Sequence, residues 1–232
     1  GDLVIVSAVS CNGSQLTYGV STTGYSTVVN NLYGNNTGTT ADACVGVFYK
    51  LMGATPDTSV TVTCSASVAY MVTVYVLRGA DPYLPLDATP TTSTTVTNSV
   101  PPNPPAITPA TVGAAVVAIG GGAGIGTATR LTSSDLSNFV AQGTGYAETG
   151  IGVIYNWASG AVDPAAYGGG SGVANLRASG SVTMAIRPNQ NKTLPAFINS
   201  AMTQGAHTTV TIAKPTNTQQ GDLMIAFLSA GT

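Results

Sequence analysis

Apolar residues in this chain recur in short runs that alternate or stand unbroken, and none follows helical spacing. The run Gly221-Asp222-Leu223-Met224-Ile225-Ala226-Phe227-Leu228 has a counterpart at the start of the chain, Gly1-Asp2-Leu3-Val4-Ile5-Val6-Ser7-Ala8. Between them lies a third copy, Gly113-Ala114-Ala115-Val116-Val117-Ala118-Ile119. The copies recur about every 110 residues, the size of one small domain. The second and third follow Pro-interrupted segments, Ala106-Ile107-Thr108-Pro109 and Val210-Thr211-Ile212-Ala213-Lys214-Pro215. The pattern predicts a core β-strand, here called the marker strand, entered after a Pro-broken one.

Two further landmarks repeat in the same order. Gly46-Val47-Phe48-Tyr49-Lys50 matches Gly152-Val153-Ile154-Tyr155-Asn156, and Val74-Tyr75-Val76-Leu77-Arg78 matches Thr183-Met184-Ala185-Ile186-Arg187. The expected fold is therefore all-β: tandem β-sandwich modules, jelly-roll or Ig-like, two near-complete and a third represented by its first strands. Residues 1–100 form the first module with a Pro/Thr-rich connector, 101–190 the second, and 191–232 a connector and the opening of the third. Within the first, strands are expected near 15–20, 26–33 and 69–78, and 43–51 should pair with 59–65. Residues 79–105, rich in Pro and Thr, read as an extended connector. The Gly-rich stretches 120–126 and 168–172 read as loops, and residues 194–202 as a helical turn or a preliminary strand. The module beginning at Gly1 lacks a Pro-broken strand, and the third marker stands without the rest of a sandwich. The partner strand of the first module is expected from upstream in a longer chain or from a neighbouring copy.

Charged residues are 7% of the chain, against roughly 25% in an average domain. With 7 Lys+Arg, 9 Asp+Glu and a pI near 5.0, there is no basic patch to displace counterions, so a nucleic-acid partner is not expected. Residues 88–129 carry no charge, but Pro109 and the glycines after it oppose a helix, and no membrane insertion is expected. So few charges leave sheet edges weakly protected, which favours covered or paired edges.

Candidate chemistry is sparse. The run Gly120-Gly121-Gly122-Ala123-Gly124-Ile125-Gly126 follows a strand, as in a dinucleotide site, but a G-x-G-x-x-G pattern from Gly120 would need glycine where Ile125 stands, and no amphipathic helix follows. No cofactor is expected. The acids Asp2, Asp42, Asp57, Asp81, Asp87, Asp135, Glu148, Asp163 and Asp222 are scattered singly, which argues against a catalytic pair or a metal site. Calcium at Asp81 and Asp87, or at Asp163, is the nearest approach to one. Asp2 and Asp222 read as turn residues ahead of their marker strands, with Ala114 at the matching place. One histidine, His207, cannot sustain a Ser-His-Asp reading, so no enzyme is expected. Cys11, Cys44 and Cys64 all fall in the first module. Strand alternation sets Cys44 on the face opposite Cys64, which favours free thiols over a disulfide. Tyr18, Tyr25, Tyr33, Tyr146, Trp157 and Tyr167 lie in or near predicted loops and are the candidates for stacking on sugars or contacting a partner, with core packing as the competing role.

The repeated Gly-Asp-Leu-x-Ile-Ala phrase after a Thr-Ile-x-x-Pro strand, with Phe48-Tyr49-Lys50 and Leu77-Arg78-Gly79-Ala80-Asp81-Pro82, resembles β-sandwich modules of tailed-phage structural and tail-fibre proteins. That resemblance implies a non-enzymatic virion structural or appendage protein, a tail fibre or capsid decoration, whose partners are copies of itself or other virion proteins. The alternative is a bacterial surface adhesin or lectin-like module that binds surface glycans. Either places the chain in a virion or on an extracellular surface.

Overall fold

The computed structural model describes residues 2–36, 41–124, 130–144, 146–169 and 176–189, with the strand segments 196–197, 209–211 and 226–230. Every regular element among them is a strand. The first repeat supplies β1 (Asp2–Cys11), β2 (Tyr18–Val20), β3 (Ser26–Gly34), β4 (Ala43–Leu51), β5 (Thr61–Cys64) and β6 (Tyr70–Arg78). The connector holds β7 (Thr91–Thr95). The second repeat supplies β8 (Ala115–Gly124), β9 (Leu131–Thr132), β10 (Ser137–Thr144), β11 (Ala147–Ile154), β12 (Gly168–Gly169) and β13 (Leu176–Ile186). Three short strands follow, β14 (Ala196–Phe197), β15 (Thr209–Thr211) and β16 (Ala226–Ala230).

Strand β1 lies antiparallel between β6 and β4, and β3 adds outside β4. In the second repeat β8 lies antiparallel between β13 and β11, with β10 outside β11. The order β6-β1-β4-β3 is thus repeated as β13-β8-β11-β10, and the small pair β2–β5 is repeated as β9–β12. The same strand order therefore occurs twice, in the strands that follow the phrases at Gly1 and Gly113.

Register refines it. Asp2 faces Arg78, while Ala115 faces Ile186; setting Arg78 on Arg187 therefore places Asp2 on Ala114, in agreement with the marker alignment. Across the other side, Ser7 faces Val47 and Ile119 faces Ile151. Gly46 then corresponds to Gly150, Tyr49 to Val153, and Leu51 to Tyr155. The sequence match of Tyr49 with Tyr155 is two residues out, a slip invisible to pattern because a shift of two returns each side chain to the same strand face.

Both marker strands are buried on both faces, because the molecule stacks in layers. On one side of the β1 sheet lies the small β2–β5 sheet: Tyr18 packs under Gly46, where a Cβ would stand 2.8 Å from its ring, and its ring centroid lies 5.8 Å from that of Tyr70. On the other side lies the β8 sheet itself. A Cβ on Gly121 would meet both methyls of Val9 at 2.6 Å, and one on Gly180 would meet Val45 at 2.9 Å. A single apolar cluster accordingly joins Leu3, Ile5, Val9, Val45 and Val47 of the first repeat to Val117, Ile119, Ile151, Val153, Val182 and Met184 of the second. The far face of the β8 sheet carries a separate cluster of Ala118, Leu131, Leu136 and Tyr167.

Three sequence expectations are corrected by this arrangement. Residues 43–51 and 59–65 do not form a hairpin pair, because β5 leaves β4 for the small sheet with β2. Gly120 to Gly124 are not a loop but the second half of β8, where the missing side chains let Tyr167, Val9 and Leu176 close onto the strand. The connector does not hang between domains: β7 is the edge strand of the β8 sheet, paired with β13 from Thr91↔Thr183 to Thr95↔Ser179. Its Ser93 and Thr91 hydroxyls donate to the Asn103 and Pro105 carbonyls, so the Pro-rich return segment covers it. Leu86 bridges Ile186 on the same edge, and Ile107 bridges Val162.

The first repeat also receives strands. Strand β14 pairs antiparallel with β6, β15 with β5, and β16 runs parallel to the end of β1 and antiparallel to β6. The strand added at the first module's edge thus comes from residues beyond the second module of the same chain. His207, Asp222, Ile125, Gly126 and residues 170–172 lie outside the described residues.

Candidate interaction surface

Each described carboxylate is set by its strand and loop context, and most serve the framework. Asp2, buried at the start of β1, takes a hydrogen bond from Arg78 Nε at 3.2 Å. It is a strand residue facing the strand-end arginine across the ladder, not a turn residue. The equivalent arginine, Arg187, one residue past the Ile186–Ala115 pair, pairs instead with Asp87 Oδ1 at 3.0 Å. Asp87 also accepts the amides of Ala110 and Thr111, both at 2.7 Å, and the Thr111 hydroxyl at 2.6 Å. Burial pushes this carboxyl up, but the Thr111 and Ala110 donors and Arg187 outweigh it and hold it below the usual range. Asp87 thereby ties the connector, the turn before β8 and the end of β13 together.

Asp81 caps its own turn, accepting the amides of Tyr83 and Leu84, which lower its pKa. Asp81 and Asp87, considered together for calcium, thus accept hydrogen bonds from separate turns, and Asp163 lies exposed in its loop. Asp42 accepts the Tyr33 hydroxyl and the Asn36 amide, Asp57 pairs with Lys50 Nζ at 2.6 Å, and Asp135 accepts the Ala165 amide. Among the described residues no group of three or more His, Cys, Asp or Glu side chains is placed to hold a metal ion. The three cysteines carry free thiols, and burial raises Cys11 and Cys44 to about 11.

Glu148 differs from the rest. It sits in β11 between Gly122 of β8 and Gly143 of β10, 1% exposed. Neither carboxylate oxygen has a hydrogen-bond partner among the described residues, and desolvation pushes the group up to about 7.

The aromatic candidates separate by burial. Tyr18 and Tyr167 are core residues, 2% and 1% exposed, because the glycines opposite them, Gly46 and Gly120, open room for a ring inside the sheet stack. A buried ring presents no face to a sugar, so these two leave the candidate set. Tyr25 is half-buried, with Lys50 Nζ 5.4 Å from its ring centroid, and Tyr33 is anchored by its hydroxyl to Asp42. Trp157 donates from Nε1 to the Gly160 carbonyl across its own turn. Tyr146 is 40% exposed at the turn between β10 and β11. The most exposed aromatic among the described residues lies outside the candidate set: Tyr83, 89% exposed, stands beside Leu84 on the turn capped by Asp81, and Val112 is exposed next to the Thr111 that Asp87 holds. The Asp-Pro-Tyr-Leu sequence, in which Asp caps the amides that follow, was the available signal.

Polar surface and strand edges make up the rest. The edge strands are β14 and β3 in one sheet and β10 and β7 in the other. No family model matches the chain, and neither a curated protein nor a solved structure matches it significantly.

Proposed function

We propose that this chain is a non-enzymatic structural component of a virion, an appendage or capsid-surface protein built of repeated β-modules that associate with copies of themselves or with other virion proteins. The observation that carries this reading is the face-to-face packing of two topologically equivalent modules through one apolar core, with the intervening connector built into the second module's sheet. Such a joint is stiff and repeatable, which suits a surface assembled from many units. The occupied or buried state of most described acids supports a framework role. Particles purified from infected cells and inventoried by quantitative mass spectrometry test it: the chain is expected at many copies per particle, and its absence from intact particles overturns the assignment.

Tyr83, fully presented beside Leu84, favours a second reading as a surface adhesin or lectin-like module. An exposed ring on a capped turn can stack on a sugar face. A glycan array decides it: saturable binding lost in Tyr83→Ala supports the adhesin, and an array without signal removes it.

A further inference from the structure

The last strand of each module offers an edge that takes a strand from a connector. In the second module β13 carries Leu86 opposite Ile186, with backbone bonds from Asp87 N to Ala185 O and from Arg187 N to Pro85 O, and then β7. In the first module the equivalent strand β6 carries β14, with Phe197 opposite Leu77. Leu77 corresponds to Ile186, so Leu86 and Phe197 occupy the same position on two equivalent edges. The segment ahead of each marker behaves alike. Ile107 bridges Val162 on the chain leading into β12, while β15 pairs with β5, the counterpart of β12. In sequence the two donors share a Leu-Pro step, Leu84-Pro85 and Leu194-Pro195, and a Thr- or Ala-Ile-containing segment before a proline.

The donors differ in one respect, where they come from. The second module is closed by the connector immediately before it. The first is closed by a segment that lies beyond the second module. The acceptor edge therefore does not select its donor by chain neighbourhood, and recognition rests on the backbone ladder, which any copy of the segment presents equally. We propose that the segment carrying β14 and β15 is an exchangeable donor: it closes the first module of its own chain or that of a second copy. This deepens the self-association reading above by naming its contact. Because donor and acceptor are different surfaces of one chain, exchange links copies head to tail, in rings or in open filaments. With donor and acceptor on one chain, the closed form has an effective concentration on the order of millimolar, so linked copies form when chains fold together at high local concentration.

A disulfide reporter in the full chain tests this without any particle. Thr61 and Thr211 face each other in the β5–β15 ladder, and Thr61→Cys with Thr211→Cys places one thiol on acceptor and donor. Equal amounts of isotope-labelled and unlabelled chain are unfolded together, refolded over a range of concentrations, oxidised and digested, and the linked peptides are weighed. The expected result is within-chain linkage in dilute samples and heavy–light pairs that rise with concentration toward roughly half of all links, the statistical limit of an equal mixture. Links that stay within single chains at every concentration overturn the proposal. So does failure of any 61–211 link to form, since the donor would then not occupy the acceptor edge. Size exclusion with light scattering on the same samples distinguishes rings and filaments from a pair exchanged reciprocally.

Discussion

Glu148 shows how much one side chain can depend on what its neighbours lack. Its cross-strand partners are glycines, so Leu176 and the sheet close over the carboxylate without offering a donor. With its folded pKa raised to about 7 from an unfolded value near 4.3, the folded chain retains a proton that the unfolded chain releases. The stability tied to the neutral form is complete below the unfolded value and is lost as pH rises through about 7. The shift corresponds to about 4 kcal/mol once the group is ionised. Glu148→Gln should therefore unfold at the same urea midpoint as the parent near pH 4 and at a clearly higher one at pH 8; a constant difference across that range would show that ionisation is not the cause. Asp87 runs the other way, its lowered pKa giving stability that is present above the unfolded value and lost as pH falls through the folded one. Sequence alone placed both as solitary acids. Their opposite characters come from strands and turns far away in the chain, which periodicity does not report.

At the scale of the element, the two modules solve one problem in two ways. Strand β6 ends on Arg78 and β13 is followed directly by Arg187, and each arginine takes a carboxylate at its side. The first module takes Asp2 from the marker strand; the second has Ala114 there and recruits Asp87 from the connector. That substitution explains why the second marker departs from the Gly-Asp-Leu phrase. Asp87→Ala should cost about 2 kcal/mol, since it strands two amides and leaves a partly exposed arginine unpaired. Adding Ala114→Asp should restore part of that loss by re-creating the arrangement of the first module in front of Arg187. Urea denaturation of the single and double variants measures both, and a double variant no more stable than Asp87→Ala would refute the equivalence of positions 2 and 114. The paired arginines were legible in the sequence because they end dense β-branched runs. The aspartates' role was not, since Asp2 and Arg78 are joined only by strand register and Asp87 and Arg187 lie 100 residues apart.

For the whole molecule, the period of the chain was readable but its stacking was not. An unbroken apolar strand is what a sheet covered on both faces requires, and it reads the same whether the second cover is a small sheet, a partner or the next module. Here that cover is the next module, and glycines set the distance. Gly121 and Gly180 bring β8 and β13 against Val9 and Val45 so closely that a single methyl has no room. Each repeat was expected to own a core; the shared cluster makes folding of one a condition for burial of the other. Gly121→Ala should thus destabilise by about 1–3 kcal/mol through overpacking, since the atoms nearest the added methyl are those of Val9 and Val45. The obstacle belongs to the other module, so shrinking it should relieve the clash: Val9→Ala combined with Gly121→Ala should be more stable than the sum of the single changes predicts, with a coupling of about 1 kcal/mol or more. Calorimetry on the parent should show one transition whose van't Hoff and calorimetric enthalpies agree. Additive effects of the two substitutions, together with two separable transitions, would mean that the modules fold independently and that the tight packing across Gly121 contributes nothing to holding them together.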